Sequence, residues 1–363
     1  MIEAPGIERS HALQHHGVAL TLFVAPLLLG AAIEAALLLR ASRGHARRWI
    51  ASMHALAAAC ALAAAWVPHA WMLAAALGLA GTAGGVAAAL GQGALVEAAP
   101  DRREGTMARW TLAGALGDLF APVVVAGVAW FGGSWRVALS WIATAMLLAS
   151  VPLWRASLPA HVKTDDDDDD DDGGPAGVRA ALRHRGLMGW LAAAAACTLL
   201  DEILVAFAAL HLRLDRGASE AAIGLAMSLW AAGCAVGLVA TERLLVRVHP
   251  RRVLGVGAAL CTVAALTWWA LPGFAGATAG LVLLGLGSAP LYPIAKARAY
   301  AAVPGRAALV GAAAQLFVVA DVFAPWALGL LADATGLRAA LAALALGPAL
   351  LLIAAIASRP WRG

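Results

Sequence analysis

Two carboxylates stand inside a repeated pentapeptide. Residues 118–122 read Asp-Leu-Phe-Ala-Pro and residues 321–325 read Asp-Val-Phe-Ala-Pro. Both copies lie in long apolar runs, where an ionised side chain costs about 2.5–3.5 kcal/mol at a bilayer centre. An acidic pair, Asp201-Glu202, sits in a further apolar run, Leu199-Leu200-Asp201-Glu202-Ile203-Leu204. Carboxylates at membrane depth suit proton exchange or the binding of a cationic group, because lipid cannot solvate their charge. Adjacent residues of a helix point about 100° apart, so at most one of Asp201 and Glu202 faces a cavity squarely. For Asp118 and Asp321 a second role is open. Each can cap backbone groups freed by Pro122 or Pro325 one turn later.

Uncharged polar residues in the same runs could line a solute path: Gln92, Tyr292, Ser228, Gln315 and His54. Gly91-Gln92-Gly93 and Pro290-Leu291-Tyr292-Pro293 are expected to loosen their helices locally, as in broken transporter helices. Glu34 is expected to pair with loop arginines, and Lys296 and Arg298 to anchor a helix end at headgroups. The chain has no Gly-x-Ser-x-Gly, no phosphate-binding glycine loop and no His-Glu-x-x-His. An enzyme is not expected, nor is a cofactor or metal site.

Positioning these groups requires membrane helices. Hydrophobic residues make up 62% of the chain and charged residues 13%, against roughly half and a quarter in soluble domains. A spanning helix needs about 20 mostly apolar residues. The sequence predicts eleven, at 16–39, 50–67, 71–97, 109–131, 136–154, 186–212, 221–242, 253–272, 276–295, 307–332 and 338–357. Alanine, leucine and glycine dominate, which favours helices over barrel strands. Gly78, Gly81, Gly84, Gly85, Gly285 and Gly287 are expected to admit close helix contact.

The pentapeptide belongs to a longer repeat. Arg47-Arg48 aligns with Arg251-Arg252, Pro100 with Pro304, and Arg136 with Arg338. Large repeats of this kind are typical of secondary transporters. The fold expected is therefore an all-α polytopic bundle of two pseudo-symmetric halves: five helices over 1–157, an acidic linker over 158–185, and six helices over 186–363. Eight consecutive aspartates at 165–172 make that linker a solvated spacer. The first half lacks a counterpart of the helix at 186–212, so the expectation is either a further helix upstream or a native eleven-span bundle.

Charge predicts sidedness. With residues 40–49 in the cytoplasm, 21 Lys and Arg fall on that side and five on the other, as the positive-inside rule requires. The amino terminus is then outside and the carboxyl terminus inside. The basic loops follow from topology and do not point to nucleic acid.

The arginine-rich loops after the opening helix of the first half and the second helix of the other, the central loop and the repeat resemble the major facilitator superfamily. Residues 114–127, Gly-Ala-Leu-Gly-Asp-Leu-Phe-Ala-Pro-Val-Val-Val-Ala-Gly, are similar to that family's fifth-helix motif, associated with exporters that exchange solute for protons. Ala121 stands where the motif has its second glycine. The family's loop between helices two and three reads Gly-x-Leu-Ala-Asp-Arg-x-Gly-Arg-Arg. Here Arg47, Arg48, Arg251 and Arg252 keep its final pair, while Arg43 and Arg247 replace its Asp. The resemblance implies a monomeric inner-membrane transporter with a small-molecule substrate, working by alternating access. Burial of the carboxylates in apolar runs points to proton coupling through Asp201 or Glu202 with Asp118 and Asp321 assisting, and the fifth-helix motif implies export as the preferred direction. A non-transporting receptor or scaffold of the same fold is the alternative.

Overall fold

The computed structural model describes residues 28–41, 46–155, 175–271, 273–336 and 346–357. The aspartate run at 165–172 lies outside them. Among the described residues the chain is all helical: α1 (28–41), α2 (Ala46–Ala64), α3 (Ala70–Ala98), α4 (Arg103–Trp130), α5 (Trp135–Arg155), α6 (Pro175–Arg183), α7 (Arg185–Leu214), α8 (Glu220–Leu245), α9 (Pro250–Ala270), α10 (Gly273–Ser288), α11 (Leu291–Ala302), α12 (Ala307–Ala314), α13 (Val318–Thr335) and α14 (Leu346–Ala357). Seven stretches are long and apolar enough to cross a membrane, among them Ala70–Ala98, Pro100–Trp130, Gly273–Ala302 and Ala307–Thr335.

Two expected spans carry interruptions. α10 gives way to α11 at Ala289-Pro290, because proline has no amide hydrogen to continue the ladder. A 3-10 turn over Gln315–Phe317 joins α12 to α13. The loosening expected around Gly91-Gln92-Gly93 is absent, since α3 runs unbroken through it. α6 is a helix within the stretch read as a linker, and its Ala181 is buried.

Large apolar side chains cover the outside. Phe120, Val123, Trp130, Trp141 and Leu148 are exposed, a surface suited to acyl chains rather than water. Within the bundle, α10 lies against α8 and α9 through glycine. A Cβ on Gly285 would fall 2.5 Å from the Trp230 carbonyl, and one on Gly287 would fall 2.8 Å from the Cys261 amide. Gly78 and Gly81 differ from expectation: their α-carbons face open space. Many serine and threonine hydroxyls are satisfied within their own helices, as when Thr241 donates to the Gly237 carbonyl at 2.7 Å.

Side-chain contacts define the two ends of the bundle. Arg298 meets Glu104 and Arg109 meets Glu242, which brings together the turns near residues 103, 245 and 302. These turns, with Arg40, Arg47 and Arg48, form an arginine-rich end. At the opposite end Arg136 reaches the Val67 carbonyl at 3.5 Å, and Arg216 reaches the Leu271 carbonyl at 3.1 Å.

Candidate functional site

Helices before residue 156 meet helices after 174 along a seam. One buried core there joins Val96 and Met107 to Leu187, Ala297, Tyr300 and Leu309; another joins Leu38, Val86 and Leu90 to Ala308. Polar contacts cross the same seam near the arginine-rich end. Gln315 Nε2 donates to Glu34 Oε1 at 2.6 Å. Tyr300 donates its hydroxyl to the Ala89 carbonyl at 3.0 Å and lies 3.4 Å from Gln92 Oε1. Arg298 Nε lies 2.8 Å from Glu104 Oε1, both side chains being largely buried. Arg109 pairs with Glu242 in a more exposed position.

Glycine creates the seat for Glu34. A Cβ on Gly85 of α3 would fall 2.2 Å from a Glu34 carboxylate oxygen. Glu34 therefore turns into the bundle, where Gln315 binds it, rather than towards loop arginines as expected. Lys296 also departs from expectation. It is 9% exposed and not a headgroup anchor. Its ammonium lies 5.7 Å from the centre of the Tyr300 ring, a favourable cation–π separation. The residue stands one turn beyond the paired prolines that close α10. That position, inside a helix continuing to Ala302, is the signal by which it could have been found.

The residues singled out from sequence divide between this seam and other surfaces. Gln92 is buried there beside Tyr300, and Gln315 bonds Glu34. Tyr292 is half-buried on α11 and packs against two of the cores. Ser228 is exposed and donates to the Gly224 carbonyl of its own helix at 2.9 Å. His54 is half-buried on α2. Arg47, Arg48 and Arg252 are exposed and Arg251 half-buried, at the arginine-rich end.

Among the carboxylates, Asp118 is exposed on α4, and between Arg109 and Phe131 no described side chain is buried. Asp321 is half-buried at the start of α13, one turn before Pro325. Asp201 is half-buried on α7. Cys234 and Cys261 border α10 at Gly285 and Gly287, and Cys197 shares a buried core with Cys261. Among the described residues no such group has the geometry of a metal site. The side chain of Glu202 lies outside the described residues.

Apolar helices of membrane length, an acyl-compatible exterior and charged groups gathered on an inner seam define a multi-pass membrane protein. The Major Facilitator Superfamily model matches residues 5–200 and again 191–361, and the chain belongs to that family of secondary transporters, which are not enzymes. The fold is similar to that of the superfamily transporter FucP in its outward conformation, with TM-score 0.72, 16% identity, and coverage of 92% of this chain and 89% of that one. A single-residue variant of the Escherichia coli fucose:proton symporter FucP gives TM-score 0.72 at 15% identity over 93% of each chain. The proton:xylose symporter XylE bound to 6-bromo-6-deoxy-D-glucose gives 0.69 at 14% identity, over 91% of this chain and 84% of that one. No protein of curated function matches the sequence significantly.

Proposed function

We propose that the chain moves a small organic solute by alternating access, coupled to protons, with export as the preferred direction. The observation that carries this reading is the polar latch along the seam. Glu34–Gln315, Glu104–Arg298 and Arg109–Glu242 tie helices before residue 156 to helices after 174 near one end. Beyond Arg109, α4 buries none of its described side chains. A bundle fastened at one end has the arrangement a rocking carrier needs. Likeness to a structure in an outward conformation supports assigning the fastened end to the inside.

In this reading residues 1–157 and 186–363 are the rocking halves, joined by 158–185, in a monomer of the inner membrane. The arginine-rich end is cytoplasmic, the amino terminus outside and the carboxyl terminus inside. Gln92, Tyr292, Ser228, Gln315 and His54 contribute to the solute path. Arg47, Arg48, Arg251 and Arg252 act at the gate. Asp201 or Glu202 carries the proton, with Asp118 and Asp321 assisting. Asp118 supports this: a carboxylate exposed from an apolar helix is stable only towards water or a partner.

The test is solute-driven proton flux in liposomes holding the full chain, measured in both directions. Asn or Gln at each of the four acidic positions is expected to abolish flux. Undiminished coupling in all four variants rules these carriers out. Arg43 and Arg247, in place of the family's loop Asp, favour a second reading as a non-transporting receptor or scaffold. Specific ligand binding without flux of any solute would establish it.

A further inference from the structure

At the end of the bundle opposite the arginines, an arginine holds the last carbonyl of two equivalent helices. Val67 follows α2 and Leu271 follows α9, and the two stand in the same register of the repeat as Arg47 and Arg251. Arg136 reaches the Val67 carbonyl at 3.5 Å and Arg216 reaches that of Leu271 at 3.1 Å. What steadies each arginine differs. Arg136 lies 4.5 Å from the centre of the Trp135 ring, a face that does not titrate. Arg216 donates through Nε to His211 Nε2 at 3.5 Å, and an imidazole gains a proton between about pH 8 and about pH 5.

His211 is enclosed on the last turn of α7, 1% exposed. Its Nδ1 lies 2.6 Å from Asp215 Oδ2, and its ring lies 5.7 Å from that of Trp268 on α9. Arginine has no acceptor, so the bond from Arg216 requires a bare Nε2. The imidazole is then neutral, with its proton on Nδ1. Asp215 is exposed and Arg216 half-buried, so water meets the cluster at its rim. On the elements packed against α7, the other ionisable groups towards this end are, among the described residues, Arg213 of α7 itself, Glu220 of α8 and Asp333 of α13. Arg213 and Glu220 are exposed and 3.9 Å apart, and Asp333 is exposed. α10 and α14 carry none.

A proton on Nε2 changes one contact of three. Nδ1 still donates to Asp215, now as half of an ion pair. Trp268 lies within cation–π distance of the new charge. Arg216 meets a second donor and a second positive charge, and it is driven off. Its nitrogens belong to one rigid plane, so the bond to Leu271 goes with the bond to Nε2. One N–H bond forms at Nε2 from a water-borne proton, and no other covalent bond changes.

We propose that His211 is a proton-operated latch in the second half of the bundle. Neutral, it holds Arg216 on Leu271 and fixes the turn after α7 to the end of α9. Protonated, it releases Arg216 and the turn comes free. The equivalent tie in the first half, Arg136 on Val67, stays closed. Acid on this face loosens one half and not the other. On the transporter reading above, where this face is the outside, outer acid regulates the carrier as well as driving it; the latch itself does not rest on that reading.

Hydrogen exchange of the full chain in nanodiscs, corrected for the chemical rate, tests the latch with no solute present. The reporters are the amides of Asp215 and Ala218, which donate to the His211 and Leu212 carbonyls at 2.9 Å each. Their protection is expected to fall about fivefold from about pH 8 to about pH 5, as for the loss of one hydrogen bond. His211→Gln, which accepts from Arg216 without titrating, is expected to keep protection level over that range. Arg216→Gln is expected to show the low value at every pH, and it decides the matter if His211→Gln fails to fold. A level profile in the unaltered chain, an acid loss retained in either variant, or an equal loss at residues 64–68 overturns the latch. In liposomes, solute-driven flux at a fixed pH difference is expected to rise about fivefold as both sides are acidified over the same range, and to stay level in His211→Gln. Flux that is level in both proteins overturns the regulatory role. Absence of all flux counts against the transporter reading, while the exchange profiles still decide the latch.

Discussion

Gln315 donates a 2.6 Å hydrogen bond to Glu34 across 281 positions of sequence. The bond exists because Gly85 has no side chain. Gly85→Ala would set a methyl group 2.2 Å from the carboxylate, and Glu34 would have to swing away from Gln315. Overpacking of this kind costs about 1–3 kcal/mol. The expected result is a lower melting temperature for Gly85→Ala. Glu34→Ala in the same background should recover part of the loss, because the displaced carboxylate is then gone. Equal melting of Gly85→Ala and the unaltered chain would contradict the seat assigned to Glu34.

The two ion pairs of the seam should differ in strength. Side-chain exposure is 20% and 15% for Arg298 and Glu104, but 71% and 27% for Arg109 and Glu242. Water screens the second pair, so its coupling should fall below about 1 kcal/mol. Removing Glu104 leaves a guanidinium in a poorly hydrated site, and Glu104→Gln should cost about 3 kcal/mol or more. Double-mutant cycles on thermal or denaturant unfolding measure both. A larger coupling for Arg109–Glu242 would mean that exposure is not what sets their strength.

Much of the fold was legible because lipid imposes so few solutions. Apolar length marked the helices, and the prolines at 290 and 293 marked the break between α10 and α11. Gly285 and Gly287 were readable as contact residues, yet Gly78 and Gly81 carry the same signal and touch nothing. Composition tells that a helix face is small, not what lies opposite. The seam was less legible. Lys296 sits one residue past the predicted span 276–295, beside Arg298, and so reads as part of a basic helix end. Glu34 reads as a loop partner because Arg40 is near in sequence, whereas Gln315 is near only in space. α6 was hidden in the linker because nine residues at low mean apolarity give no membrane signal, although Ala181 is buried. Pairing between halves is long-range information that a one-dimensional pattern does not carry.

The glycine contrast is itself testable. Gly285→Ala would drive a methyl group to 2.5 Å from the Trp230 carbonyl and 3.0 Å from the Cys234 amide. Both are backbone atoms, so α8 and α10 must part. Loss of folded protein, or destabilisation of about 3 kcal/mol, is expected. Gly81→Ala meets nothing within 4 Å and gains helix propensity of up to about 1 kcal/mol. Fluorescence-detected size exclusion and melting of the two variants should separate them widely. Similar behaviour would show that glycine on α10 does not set the helix spacing.

At the opposite end a polar triad ties α7 to α9. His211 is 1% exposed and packs 5.7 Å from the Trp268 ring. Its Nδ1 lies 2.6 Å from Asp215 Oδ2, and Arg216 Nε donates to its Nε2 at 3.5 Å. Arginine can only donate, so the proton of the imidazole belongs on Nδ1, pointing at the carboxylate. Arg216 in turn donates to the Leu271 carbonyl at 3.1 Å, which closes the end of α9. His211→Phe keeps the ring against Trp268 but strips Asp215 of its donor, at an expected cost of about 1–3 kcal/mol. Adding Asp215→Ala removes the orphaned carboxylate and should return part of that loss. The unfolding midpoints of the single and double variants decide it: if Asp215→Ala is as costly in the His211→Phe background as in the native one, the two side chains are not coupled, and Arg216 alone holds the helix end.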